Sequence, residues 1–322
     1  MMPGGTCPRG AGAARSVRKG PAPEPTISGQ GPQVQTIFQL DALREAVAAL
    51  KNGGEPRTLA LVPTMGALHE GHLTLVREAR KHADHVAVSI FVNPRQFGAS
   101  EDLDTYPRTL AEDSALLAAE GVDVLWAPTP DQMYPAGYAT NISVSGVSEG
   151  ACGASRPGHF DGVATVVCKL FHQVLPDVAL LGEKDWQQLA VIRRMARDLD
   201  LTRPRVERII GVPIVRERDG LAMSSRNRYL SAQDRARAVA LPQAMRECIA
   251  AIEGGVAVAD ALDRLRAAIL GGGFASIDYV ELRDADSLAP LAALGPRPAR
   301  LLVAARIGGT RLIDNTGLSA NR

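Results

Sequence analysis

The chain has 322 residues, room for one large or two modest domains with real cores. With 22% charged residues and a net charge of +1, it carries no large electrostatic footprint for a nucleic acid. Four scattered cysteines (Cys7, Cys152, Cys168, Cys248) form no CxxC pair, which argues against structural zinc or a disulfide framework and suits a reducing cytosol. No run approaches the ~18 apolar residues of a membrane span.

Residues 1–32 are rich in Gly, Pro, Ala and Arg and lack apolar periodicity, so they read as a disordered tail. They have neither the apolar core of a signal peptide nor the amphipathic stretch of a transit peptide. From Thr36 helix and strand alternate. Ile37–Leu50 is an amphipathic helix, Thr58–Val62 a strand ended by Pro63 and Gly66, and Leu73–His82 a helix. Val86–Val92 reads as a strand buried on both faces. Leu110–Glu120 follows as helix, Val122–Trp126 as strand, Val163–Leu175 as helix, Val178–Leu181 as strand and Trp186–Leu199 as helix. This alternation predicts an α/β domain over 33–212, a mostly parallel sheet covered on both faces, with ligands at the strands' carboxyl ends. Residues 213–322 change character. Helices over Ala232–Ile252 and Val258–Ile269, then strands near Ile277–Leu282, Arg300–Ile307 and Arg311–Ile313, predict a smaller α+β unit.

The chemistry collects at the ends of those strands. Pro63-Thr64-Met65-Gly66-Ala67-Leu68-His69-Glu70-Gly71-His72 is a strand-to-helix turn with two histidines one helical turn apart, beside unpaired amides and the positive end of a helix dipole. Imidazoles and free amides facing an anion suit a nucleotide triphosphate, and Gly71 permits close approach of the backbone to it. Asn93 and Gln96 follow the next strand and can fix a small hydroxylated acid, although either is also an ordinary turn residue. Glu101, Asp102, Asp104, Glu112 and Asp113 supply oxygens fit for Mg²⁺ or simply a solvated acidic face. In Gly182-Glu183-Lys184-Asp185 the lysine can reach phosphate and Asp185 ribose hydroxyls, with Gln188 at i+3 facing the same pocket. Met223-Ser224-Ser225-Arg226 is a loop able to wrap phosphates.

PTMGALHEGH, SIFVNPRQFG with EDLDTYPRT, RPGHFDGVATVV, LGEKDWQQL, GVPIVRERDGLAMSSRNRYLS and LLVAARIGGTRLIDN stand in the order seen in pantothenate synthetases. From about Thr36 to Asn315 the chain resembles that pantoate–β-alanine ligase family of the HIGH-signature nucleotidyltransferase superfamily. The resemblance implies a Rossmann-like doubly wound domain with a C-terminal α+β lid, a homodimer, and a cytoplasmic enzyme that ligates pantoate and β-alanine through a pantoyl adenylate. By it, Pro63–His72, Gly182–Asp185, Val215 and Met223–Arg226 bind ATP. His69, His72, Lys184 and Arg226 are catalytic, His72 as the proton donor. Gln96, Gln188 and Asn93 hold the small substrates, and Glu112 and Asp113 support Mg²⁺, less securely because Leu116 replaces a glutamine that site can include. Trp186 stands where tyrosine is usual, and Leu201–Ile210 is longer than usual. The alternatives are a nucleotidyltransferase that adenylates another acid or releases the adenylate, and a tRNA-binding protein, which the near-zero charge disfavours.

Overall fold

The computed structural model describes residue 1 and residues 34–52, 55–98 and 101–319; the expected tail, residues 1–32, lies outside these apart from Met1. Its strands are β1 (Gln35–Ile37), β2 (Leu59–Thr64), β3 (His85–Ile90), β4 (Val124–Trp126), β5 (Val178–Gly182), β6 (Ile209–Val212), β7 (Ser276–Asp284), β8 (Ala299–Ile307) and β9 (Thr310–Leu318). The helices are α1 (Leu40–Lys51), α2 (Glu70–Ala79), α3 (Leu110–Ala119), α4 (Pro130–Met133), α5 (Ala151–Ser155), α6 (His159–Val174), α7 (Trp186–Asp198), α8 (Ala232–Arg237), α9 (Ala240–Glu253) and α10 (Val258–Gly271).

The first six strands form one parallel sheet in the order β1-β4-β3-β2-β5-β6. Strand β2 shows why it must be covered on both sides. Leu59 and Leu61 pack with α1, α6 and α7, while Ala60 and Val62 pack with α2 and α3, and all four are fully buried. Successive connections run one way from β2 to β3 and β4, then the other way to β5 and β6. The direction of winding therefore reverses between β2 and β5, the place where such sheets bind ligands. There the strands part: β2 pairs with β3 over six residues but with β5 only at Ala60 and Leu61.

That parting accounts for one difference from the sequence reading. Pro63 does not end β2, which runs on to Thr64; with no partner on the β5 flank there, a residue lacking an N–H is tolerated. The edge strands β1 and β6 were not expected, and the long helix over 232–252 is two helices, interrupted at Ala238 and Val239.

The remaining strands form an antiparallel sheet, β7-β8-β9, backed by α9 and α10 over a separate apolar core. By contact, the described residues from Val34 onward are one compact unit. The small sheet is fastened to the large one at the start of α7. The Trp186 indole donates to Ala285 O at 3.0 Å and carries the Arg300 guanidinium on its face at 3.6 Å.

Candidate active site

The turn between β2 and α2 is built on a buried carboxylate. Asp113, 2% exposed at the start of α3, accepts from the amides of Ala67 at 2.9 Å and Leu68 at 2.8 Å and from the Thr109 hydroxyl at 3.1 Å. Gly66 makes the bend possible: its φ is +82°, and a Cβ there would lie 3.0 Å from Ile90 Cγ2 and 3.1 Å from Asp113 Oδ2. The turn thus delivers His69 and His72 to the mouth of the β2–β5 parting.

The two imidazoles cap their own helix. His69 Nδ1 accepts from the Gly71 amide at 3.1 Å, and His72 Nδ1 accepts from the His69 amide at 3.3 Å, a reciprocal capping box. An Nδ1 that accepts carries no proton, so each neutral ring bears its hydrogen on Nε2. Burial and the nearby Lys184 ammonium lower the pKa of His69 to about 4 and that of His72 to about 3. At neutral pH the pair therefore presents two N–H donors and no charge. One expectation is corrected here. The amides of Ala67, Leu68, His69 and Gly71 are not open to an anion, because Asp113 and the imidazoles occupy them. Gly71 also makes room for more than a ligand: a Cβ there would sit 2.9 Å from His69 Cε1, inside the capping ring.

Beyond β3, Asn93 is 1% exposed and fully engaged. Its Nδ2 donates to Gln96 Oε1 at 3.0 Å and to Gly162 O at 3.1 Å, while its Oδ1 accepts from the Tyr134 hydroxyl at 2.8 Å. Asn93 does not line the cleft, in contrast to its expected substrate contact; it turns Gln96 so that the Nε2 donor points inward, against Met65 Sδ at 3.1 Å. Two residues missed in the sequence stand next to it. His159, at the start of α6, donates from Nδ1 to Gln96 O at 2.8 Å, and its Nε2 accepts from Arg156 at 3.1 Å. Burial and Arg156 lower its pKa to about 4. Arg156 also pairs with both Glu101 oxygens at 2.6 and 2.5 Å. Both sit in RPGHFDG, one of the segments that carries the resemblance, yet no local pattern marks them as site residues.

One cleft collects most of the expected site residues: Pro63, Thr64, Met65, His69, Gly71, His72, Gln96, Gly182, Lys184, Asp185, Gln188, Val215 and Met223–Arg226. Gly66, Ala67 and Leu68 lie behind it as framework. Glu70 turns outward to Arg77, and Glu183 turns away to Arg300 at 3.1 Å. Arg226 lines the cleft and is bidentate to Asp102 at 2.9 and 2.8 Å, tying the 223–228 loop over the 101–106 loop. Lys184 has a looser partner, Asp185 at 3.8 Å.

Glu112 and Asp113 do not reach this cleft. Asp113 is committed to the turn and Glu112 is exposed on α3, so neither fits the expected magnesium site. Glu101 and Asp102 likewise serve arginines. Among the described residues no three His, Cys, Asp or Glu side chains gather to hold a metal.

Comparison with known proteins gives a consistent result. The family described as Pantoate-beta-alanine ligase matches residues 35–317. The pantothenate synthetase of Novosphingobium aromaticivorans is 72% identical over 285 residues, 88% of this chain and 99% of that protein. That of Sphingopyxis alaskensis is 60% identical over 282 residues, with 88% and 99% covered. The crystal structure of pantothenate synthetase from Thermus thermophilus superposes with a TM-score of 0.80 at 44% identity, covering 88% of this chain and 99% of that one. The Francisella tularensis pantoate-beta-alanine ligase, complexed with beta-gamma ATP and beta-alanine, gives 0.74 at 33% identity, with 88% and 97% covered.

Proposed function

The chain belongs to the pantoate–β-alanine ligase family; it is an ATP-dependent ligase that makes pantothenate, and we propose that its cleft does so through an acyl adenylate. The observation that carries this reading is the cleft's donor set. Two neutral Nε2–H imidazoles, the Lys184 ammonium and the Arg226 guanidinium face the same space as the Gln96 and Gln188 amides.

A carboxylate is a poor acyl donor because its leaving group would be oxide. In the first step the pantoate carboxylate oxygen bonds to the α-phosphorus of ATP while the bond to the β-phosphate oxygen breaks, giving pantoyl-AMP and diphosphate. Lys184, His69 and His72 stand where they meet the charge that grows on the phosphates, and a preorganised donor of this kind contributes ~10²–10³ in rate. Gln96 and Gln188 hold the hydroxy acid in line. In the second step the β-alanine amine attacks the acyl carbon, the acyl–phosphate oxygen bond breaks, AMP leaves and the amine's proton is released. Val215 and Met223–Ser225 flank the nucleotide on the other wall. Asp185, the carboxylate that lines the cleft nearest Lys184, is the side chain that would meet a magnesium ion accompanying the triphosphate, and such an ion would screen the phosphate charge.

The proposal has further parts: a domain boundary at Val212/Pro213, read from the change of pattern there, a cytoplasmic location, which the scattered cysteines suit, and a C-terminal lid and a homodimer, which the resemblance implies. No helix among the described residues is long and apolar enough to cross a membrane.

The test uses purified protein with Mg-ATP, pantoate and labelled diphosphate. Label should enter ATP only when pantoate is present, and added β-alanine should then yield pantothenate and AMP in equal amounts. Exchange without amide formation points to a protein that releases its adenylate; no exchange and no pantothenate overturns the reading.

A further inference from the structure

The loop that bears Lys184 is held by a side chain from the far end of the chain. Asn315, on β9 and 2% exposed, donates from its single Nδ2 to two consecutive carbonyls, Glu183 O and Lys184 O, each at 2.9 Å. Its orientation is unambiguous. Carbonyls only accept, so the nitrogen must face them, and Asn315 Oδ1 in turn accepts from Arg300 Nε at 2.7 Å. Arg300 is fixed by the Trp186 ring beneath it at 3.6 Å and by Glu183 Oε2 at 3.1 Å. Behind this, Asp314 takes both Arg216 nitrogens at 2.7 and 2.8 Å and accepts from the Asn315 backbone N–H at 2.7 Å.

We propose that Asn315, oriented by Arg300, is a positioning residue for adenylation: it clamps the Glu183–Lys184 backbone so that the Lys184 ammonium projects to the phosphates beside His69 and His72. The inference rests on the reading of Lys184 as a phosphate-binding group. Two carbonyls pinned to one nitrogen cannot rotate independently, so the direction in which the Lys184 side chain leaves the backbone is fixed. Among the described residues the only carboxylate paired with Lys184 is Asp185, loosely at 3.8 Å, so no tight ion pair there does this instead. The antiparallel sheet thereby completes the nucleotide site without touching the nucleotide through Asn315.

The test compares N315A, R300K and K184A with the wild type in the pantoate-dependent exchange and in the full reaction. N315A should melt cooperatively, raise the KM for ATP about tenfold and slow exchange by a similar factor, as expected of a misplaced charge. The KM for β-alanine should stay within about twofold, because that substrate does not depend on Lys184. R300K keeps a charge for Glu183 but loses the guanidinium Nε that orients Asn315, so it should shift the same parameter less. An ATP KM within about twofold of wild type in N315A, with only the melting point lowered, overturns the proposal, as does an equal rise in every KM. If N315A does not fold, R300K decides on the same two criteria. Absence of exchange in the wild type, or a fully active K184A, would instead bring down the functional reading beneath it.

Discussion

Replacing Asp113 by Asn separates two roles for this carboxylate. The side chain keeps its shape but offers one acceptor oxygen where the native group offers two, each holding a backbone amide at 2.8–2.9 Å in a site 2% exposed. The new NH₂ faces one of those amides donor to donor, which leaves a buried N–H without a partner. Hydrogen bonds to a charged group contribute about 1.5–3 kcal/mol, and an orphaned buried donor costs about 1–3 kcal/mol more, so D113N should lose roughly 3–5 kcal/mol. At about 1.5 °C per kcal/mol for a chain of this size, the melting point falls by about 5–8 °C. Because the freed turn carries His69 and His72, kcat/KM should fall by ~10² even where the variant is fully folded. The assay is thermal melting in EDTA without nucleotide, followed by a magnesium titration of activity. A metal ligand predicts the reverse pattern: unchanged melting in EDTA, and activity restored by excess magnesium. That result would refute the turn-anchor argument.

G71A places a methyl group 2.9 Å from His69 Cε1 while adding a better helix former, so it should cost ~10² in kcat with a melting point within about 2 °C of wild type; a normal kcat means that the capping ring is dispensable. H72A should lower kcat by ~10²–10³, and H72Q should recover part of it, because a neutral N–H donor is what the site presents; equal loss in both variants would favour outright proton transfer. Three histidines, His159 buried and His69 and His72 half-buried in the cleft, also set an acid limit on stability. His69, His72 and His159 stay neutral when folded (pKa about 4, 3 and 4) but titrate near 6.5 when unfolded, so their burden is absent above pH 6.5 and grows as the pH falls. By pH 5 each contributes about 2 kcal/mol of destabilisation, and H159Q should flatten the decline between pH 6.5 and 5 in a melting series.

What the sequence disclosed depended on whether partners lay close along the chain. Strands β2, β3 and β5 and helices α6 and α7 were legible because their apolar runs are long and bounded. Strands β1 and β6, of three and four residues, have no period to read, and Ile37 merged with the helix after it. The spacing of His69 and His72 on a strand-to-helix turn was legible, but their capping bonds, to amides only two and three residues away, were not, because those amides read as unpaired. The acidic residues were not. Glu101 meets Arg156 from 55 residues away, Asp102 meets Arg226 from 124 away, and Asp113 meets amides 45 and 46 residues upstream. Composition marks such carboxylates as oxygen donors, and only the fold says to what. Asn93 shows the same limit: an amide beside a strand end reads equally as a ligand for substrate or a brace for Gln96.

The neutrality of the imidazoles and the pairing of the cations belong to one electrostatic design. Of the three cations that line the cleft, Arg156 and Arg226 are each bidentate to a carboxylate, and Lys184 is the one loosely held. Three unpaired positive charges in a partly buried crevice would repel each other and bind the triphosphate tightly before reaction, which lowers KM without raising kcat. Balanced arginines shape the walls at little net charge, while on the proposed reading Lys184 would supply a point charge to the phosphates. Burial above all, with that same charge, keeps His69 and His72 unprotonated, so on the proposed reading their Nε2–H groups would add stabilisation only as negative charge builds on the phosphates. If the rings act as proposed, the capping box that fixes their Nε2–H tautomer belongs to the catalytic apparatus as much as the rings do, and it spans only His69 to His72.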